Sequence, residues 1–240
     1  MAISRKGFRT VWAWAASMLV ASASVSASPP PAPSLDVGGA TPQTVSADES
    51  ATAAELSDES SAVVRWVNEH ADNRGQPFLV VDKRRARLYA YSSSGRYLGD
   101  SSVLLGQSFG DESIAGIGLR KPSSLLPGER TTPAGRFATE PGHNVLGQDV
   151  VWFDYDASLA IHRLRASPVN QHREERLGSM HSEDKRISYG CIVVPVAFYD
   201  TIVQPVLGRQ RGVVYVLPET RSLQAFLADD RLSPGSAASP

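Results

Sequence analysis

Phe78-Leu79-Val80-Val81-Asp82-Lys83-Arg84-Arg85-Ala86-Arg87-Leu88-Tyr89-Ala90-Tyr91 reads as two short strands around a charged turn. Phe78–Asp82 and Ala86–Tyr91 are rich in β-branched and aromatic residues, and Lys83-Arg84-Arg85 separates them. The same grammar continues downstream. Ser92-Ser93-Ser94-Gly95 is a turn, and Tyr97 to Gly106 is a third strand region. Gln107 to Gly128 is rich in Gly, Ser and Pro and reads as a long loop, a class that often carries function. Arg136–Thr139, Val150–Tyr155 and Ser158–Ile161 are further strand candidates, and Gly212–Leu217 closes the series before Pro218. Many short strands and few helices predict a mainly β domain with a packed core.

Upstream, Ser57-Asp58-Glu59-Ser60 offers capping residues for a helix with an apolar stripe at Val63, Val64, Trp66 and Val67. This N-terminal helix is expected over 57–74. Residues 28–56 are rich in Ser, Ala, Pro and Thr and read as a disordered linker. Ahead of it, Arg5, Lys6 and Arg9 precede an apolar run from Val11 to Ala21 that is short for a bilayer span. That is the pattern of a secretory signal peptide over 1–27, cut after Val25-Ser26-Ala27 or Ala21-Ser22-Ala23. An uncleaved anchor is the alternative reading. The expected location is periplasmic or secreted, with no stable membrane anchor after cleavage. Residues 229–240 read as a flexible tail.

The 240 residues carry a formal net charge of −1. No global attraction to nucleic acid or an anionic membrane follows from that balance. No glycine-rich phosphate loop is present. His70, His143, His162, His172 and His181 lack the short ligand spacings of zinc motifs, so neither a metal nor another cofactor is expected.

The chain has one cysteine, Cys191, in Ser188-Tyr189-Gly190-Cys191-Ile192, and His162 ends an apolar run 29 positions upstream. A lone thiol is either an inert core residue or a nucleophile. Ile192-Val193-Val194 after it favours the core reading. The small-residue turn before it favours the nucleophile. The chain after Cys191 reads as a helix, with Pro195 in its first turn and Phe198, Ile202 and Val203 on its apolar face. Such a helix would bring a positive dipole end to the sulfur. His172 and His181, within a charged stretch containing Arg173, Glu174, Glu175, Arg176 and Asp184, read as solvated loop histidines.

Taken in order, Val81-Asp82-Lys83, Leu88-Tyr89-Ala90-Tyr91, Gly95, Thr132-Pro133-Ala134-Gly135-Arg136-Phe137, Ile161-His162, Ser188-Tyr189-Gly190-Cys191-Ile192 and the closing Val213 to Leu217 resemble the catalytic domain of the L,D-transpeptidases. The match covers about residues 78 to 218, so residues 78–219 are expected to form the catalytic domain. The resemblance implies a β-sandwich of mixed sheets with a few helices. It implies acyl transfer on peptidoglycan stem peptides, with D-alanine released from a tetrapeptide and a 3→3 cross-link formed. It assigns Cys191 as nucleophile and His162 as general base. The carbonyl of Arg163 would orient the imidazole. Amides of Tyr189, Gly190 and Cys191 would form the oxyanion hole, and Ser188 would brace the turn. No cofactor is implied, and carbapenem-type inhibitors are expected to acylate the thiol. An L,D-carboxypeptidase on the same scaffold, or a catalytically weak peptidoglycan-binding protein, are the alternatives.

Three positions depart from the family pattern. Tyr189 stands where many members have His, and Arg163 where many have Gly or Ser. Val193 stands where Arg or Asn is usual, and Val193→Asn is expected to leave folding intact and raise activity. The His162–Cys191 segment is also long, and its charged part from Gln171 to Lys185 suggests a lid or specificity loop.

Overall fold

A computed structural model describes residues 56–166 and 168–228. The expected signal peptide, nearly all of the linker and the C-terminal tail lie outside the described residues. No helix among the described residues is long and apolar enough to cross a membrane.

The fold is mainly β. Among the described residues ten strands form it: β1 (Phe78–Asp82), β2 (Arg87–Tyr91), β3 (Tyr97–Ser102), β4 (Leu105–Gly106), β5 (Gly135–His143), β6 (Asp149–Asp154), β7 (Leu159–Arg163), β8 (Arg186–Ser188), β9 (Ile192–Val194) and β10 (Gly212–Val216). Eight of them make one mixed sheet in the order β3-β2-β1-β10-β5-β6-β7-β9, and β4 pairs with β8. β1/β10, β7/β9 and β4/β8 are parallel pairs. The long strand β5 folds the sheet over. Its Gly135–Thr139 half pairs with β10 and its Glu140–His143 half with β6.

The two outer edges then meet. Just past β3, Leu104 exchanges both backbone hydrogen bonds with Val193 of β9, at 2.8 and 2.9 Å. The sheet is thereby nearly closed into a barrel, the flattened form of a β-sandwich. Closure leaves little exposed edge. It encloses a core of Leu79, Val81, Leu88, Val151, Ile161, Ile192, Val194, Val214 and Val216.

β1 reads as a continuous apolar run because it is covered on both sides. Leu79 and Val81 face the enclosed core. Phe78 and Val80 face a second cluster with Val63 and Val67 of α1 (Asp58–His70). Ser57 caps α1 by accepting from the Ser60 amide at 3.1 Å, and donates its hydroxyl to Asp82 at 2.6 Å. The cap therefore also docks the helix on β1.

The structure corrects three expectations. The Tyr97–Gly106 region is two strands, β3 and β4, because the chain leaves β2 for β8. The Gln107–Gly128 loop contains three short 3-10 turns. A helix does not follow Cys191 directly. Ile192-Val193-Val194 first forms β9 beside β7, and the helical segment begins at α2 (Val196–Phe198) with Pro195 as its N-cap. It continues through a π-wound stretch (Tyr199–Val203) into α3 (Gln204–Leu207). Three β-branched residues with a waiting parallel partner favour a strand over a helix start.

Candidate active site

β7 and β9 run side by side with His162 in register with Val193 and Ile161 with Ile192. Neighbouring strands lie about 4.8 Å apart. His162 therefore sits one strand over and two residues along from Cys191. Ile161 and Ile192 fill the enclosed core, so the His162 and Val193 side chains leave from the opposite face. Cys191, half-buried, immediately precedes β9.

His162 Nδ1 lies 2.9 Å from the Arg163 carbonyl oxygen. A carbonyl only accepts, so Nδ1 carries the proton and Nε2 keeps its lone pair. Burial pulls the imidazole pKa down to about 4, with the Arg163 carbonyl opposing and the Arg165 and Arg173 charges adding to the fall. The ring is neutral at pH 7 with a proton-accepting Nε2. The Arg163 side chain plays no part there. It turns away to Asp200, at 2.8 Å, and stacks 4.4 Å from the Tyr199 ring.

The cysteine turn is fixed atom by atom. Ser188 Oγ donates to the Cys191 carbonyl at 2.6 Å and accepts from the Gly190 amide at 3.0 Å. Gly190 has φ +123, and a Cβ there would lie 2.7 Å from the Thr131 carbonyl oxygen and 2.8 Å from Leu159. Only glycine fits this path. The Gly190 amide, expected among the oxyanion donors, is instead spent on Ser188. The Tyr189 and Cys191 amides remain as candidates. Tyr189 is partly exposed, with Arg130 stacked 4.5 Å over its ring.

Burial pushes the Cys191 thiol pKa up. The Ala160 backbone, Arg165 and Arg173 work against that rise. The sulfur lies 4.0 Å from the Ser158 carbonyl oxygen. The helix that begins at Val196 does not bring its N-terminus directly to the residue after the sulfur, because β9 intervenes. The thiol is thus shifted up and the imidazole down, and both directions favour the neutral forms.

Sequence reasoning gave no role to four residues that the structure brings to this region. Thr132, fully buried, donates its hydroxyl to the Gly190 carbonyl at 2.9 Å and accepts from the Gly106 amide at 2.8 Å. Lys83, also fully buried, donates to the Thr132 carbonyl at 3.0 Å and pairs with Asp111 at 2.9 Å and Glu219 at 3.4 Å. Arg165 and Arg173 carry the two guanidinium groups that act on both His162 and Cys191. Thr132 and Lys83 lie in segments that carry the family resemblance, which is the signal that marks them. Arg165 and Arg173 have no such mark.

Val193 is fully buried in a small apolar cluster with Leu104 and Leu177. Asparagine there would bury an amide among hydrocarbon. The expectation that Val193→Asn leaves folding intact is therefore withdrawn. Among the described residues, no group of three or more His, Cys, Asp or Glu is placed to hold a metal.

No protein-family profile and no curated protein matches the chain. Among solved structures, the NMR structure of the catalytic domain of the E. faecium L,D-transpeptidase is similar at 16% identity and a TM-score of 0.32. It covers 60% of this chain and 98% of that chain. The likeness is distant.

Proposed function

We propose that this chain is a cysteine acyltransferase of L,D-transpeptidase type acting on peptidoglycan stem peptides outside the cytoplasm. The observation that carries the reading is His162 on β7 beside the Cys191 turn, its Nδ1 bound to the Arg163 carbonyl and its Nε2 free to accept a proton. The ordered motifs of residues 78 to 218 supply the substrate class.

The Cys191 sulfur attacks the carbonyl carbon between the third stem residue and the terminal D-alanine. Its proton passes to His162 Nε2. The developing oxyanion takes hydrogen bonds from backbone amides of the turn. The C–N bond breaks, His162 returns the proton to the departing D-alanine amine, and a thioester remains. The side-chain amine of a neighbouring stem then attacks the thioester. His162 takes its proton and hands it to the sulfur as the C–S bond breaks, leaving a 3→3 cross-link.

The test incubates residues 28–240 with tetrapeptide muropeptides and reads products by mass spectrometry, beside Cys191→Ala. Dimers formed with loss of D-alanine, absent in the variant, support the reading. Cys191-dependent tripeptide without dimers replaces it with hydrolysis. No Cys191-dependent product, and no covalent carbapenem adduct, overturns it.

A further inference from the structure

We propose that Arg165 and Arg173 form a carboxylate-binding subsite beside Cys191. The acyl donor would then be a peptide with a free carboxylate next to the scissile bond. The identity of that peptide rests on the acyl-transfer reading; the subsite itself does not.

Both arginines belong to the segment that joins His162 to Cys191. Arg165 lies two residues past the end of β7, and Arg173 opens the short helix Arg173–Gly178. Together they line a cavity of about 380 Å³ with Ala166, Pro168, Val169 and His172. Other arginines of the fold are matched to carboxylates: Arg163 to Asp200, Arg136 to Asp72, Arg186 to Glu219. Arg165 has no hydrogen bond or ion pair among the described residues, and its Nε is buried without a partner. A buried donor without an acceptor is costly unless a ligand completes it.

Arg173 is held differently. Its Nε donates to Gln171 Oε1 at 2.7 Å, which steadies the guanidinium, and it has no ion pair among the described residues. Two acids also line the cavity, Glu174 and Glu175. Glu175 is taken by His172 at 3.1 Å, and neither acid pairs with Arg165 or Arg173. Cys191 and His162 lie outside the lining of this cavity, but Arg165 follows His162 by three residues as the chain leaves β7, and both guanidiniums act electrostatically on the sulfur and on the imidazole. The planar guanidinium fork suits a carboxylate. Two carboxylates of a stem are candidates: the terminal one of the leaving D-alanine and the side-chain one of the diamino acid.

Iodoacetate and iodoacetamide test the subsite directly, because they carry the same reactive carbon with and without a carboxylate. Their rates of labelling Cys191 are read by intact mass. The iodoacetate-to-iodoacetamide ratio is expected to fall about tenfold in the Arg165→Gln/Arg173→Gln double variant and to recover in part with Lys at both positions. Iodoacetamide labelling of each variant reports that the sulfur is still reached. A labelled Cys191 with an unchanged ratio overturns the subsite and leaves the acyl-transfer reading standing. A fallen ratio in a protein that processes no tetrapeptide supports the subsite and overturns that reading. No labelling of the wild-type sulfur by either reagent overturns both. Where tetrapeptides are processed, stems amidated at one carboxylate or the other tell the sources apart: the relevant amidation raises KM about tenfold, and no rise with either overturns the subsite.

Discussion

Gly190 decides the shape of the cysteine turn, because its φ of +123 and the Thr131 carbonyl leave no room for a Cβ. Gly190→Ala is expected to cost about 1–3 kcal/mol in stability and to slow Cys191 alkylation, checked by denaturant melts and iodoacetamide kinetics. His162 makes a second residue-scale prediction. Its pKa of about 4 in the fold lies below the ordinary value of 6.5. The unfolded chain therefore takes up a proton at higher pH than the native one. Stability is full above pH 6.5 and falls as pH drops from there toward 4. His162→Gln should flatten that slope in a thermal-melt series. Activity that depends on neutral His162 should show its acid limb near pH 4; a limb near 6.5 would contradict the buried imidazole.

β9 illustrates how a three-residue element acquires its role. Ile192 and Val194 enter the enclosed core, while Val193 enters the cluster with Leu104 and Leu177. Val193→Asn is expected to destabilise the fold by about 2–3 kcal/mol, read in denaturant unfolding, with Cys191 reactivity falling rather than rising. The sequence reading places no strand at Ile192-Val193-Val194, because three apolar residues fit a helix face and a strand equally well. The parallel register with β7 broke the tie. The strands with longer runs needed no such help. Phe78–Asp82 and Gly212–Val216 are β-rich enough to be read unaided, though that they lie side by side and parallel was not legible.

The whole molecule is tied together by buried polar groups from distant parts of the chain. Lys83, Asp111, Arg186 and Glu219 form one buried ion cluster. Lys83 also reaches the Thr132 carbonyl, and Thr132 holds Gly190. Lys83→Met should cost roughly 3–5 kcal/mol, because Asp111 loses a charge partner while still buried. Thr132→Val keeps the shape and removes both hydroxyl bonds. It should cost about 1–3 kcal/mol and reduce Cys191 alkylation more than it reduces the melting temperature would suggest, which separates a positioning role from a purely structural one. The sequence by itself determined the mainly β class and the glycine of the Ser188–Ile192 turn, and it offered one histidine and one cysteine as the chemistry to look for. These follow from local propensity, from the φ that glycine permits and from side-chain chemistry. Tertiary structure alone decided that β9 is a strand, that Val193 is core, that the Gly190 amide serves Ser188, and that Arg165 and Arg173 line one cavity. Each of those depends on which distant segments meet, and the closing of the sheet at Leu104 and Val193 fixes that meeting by satisfying backbone groups that no local pattern encodes.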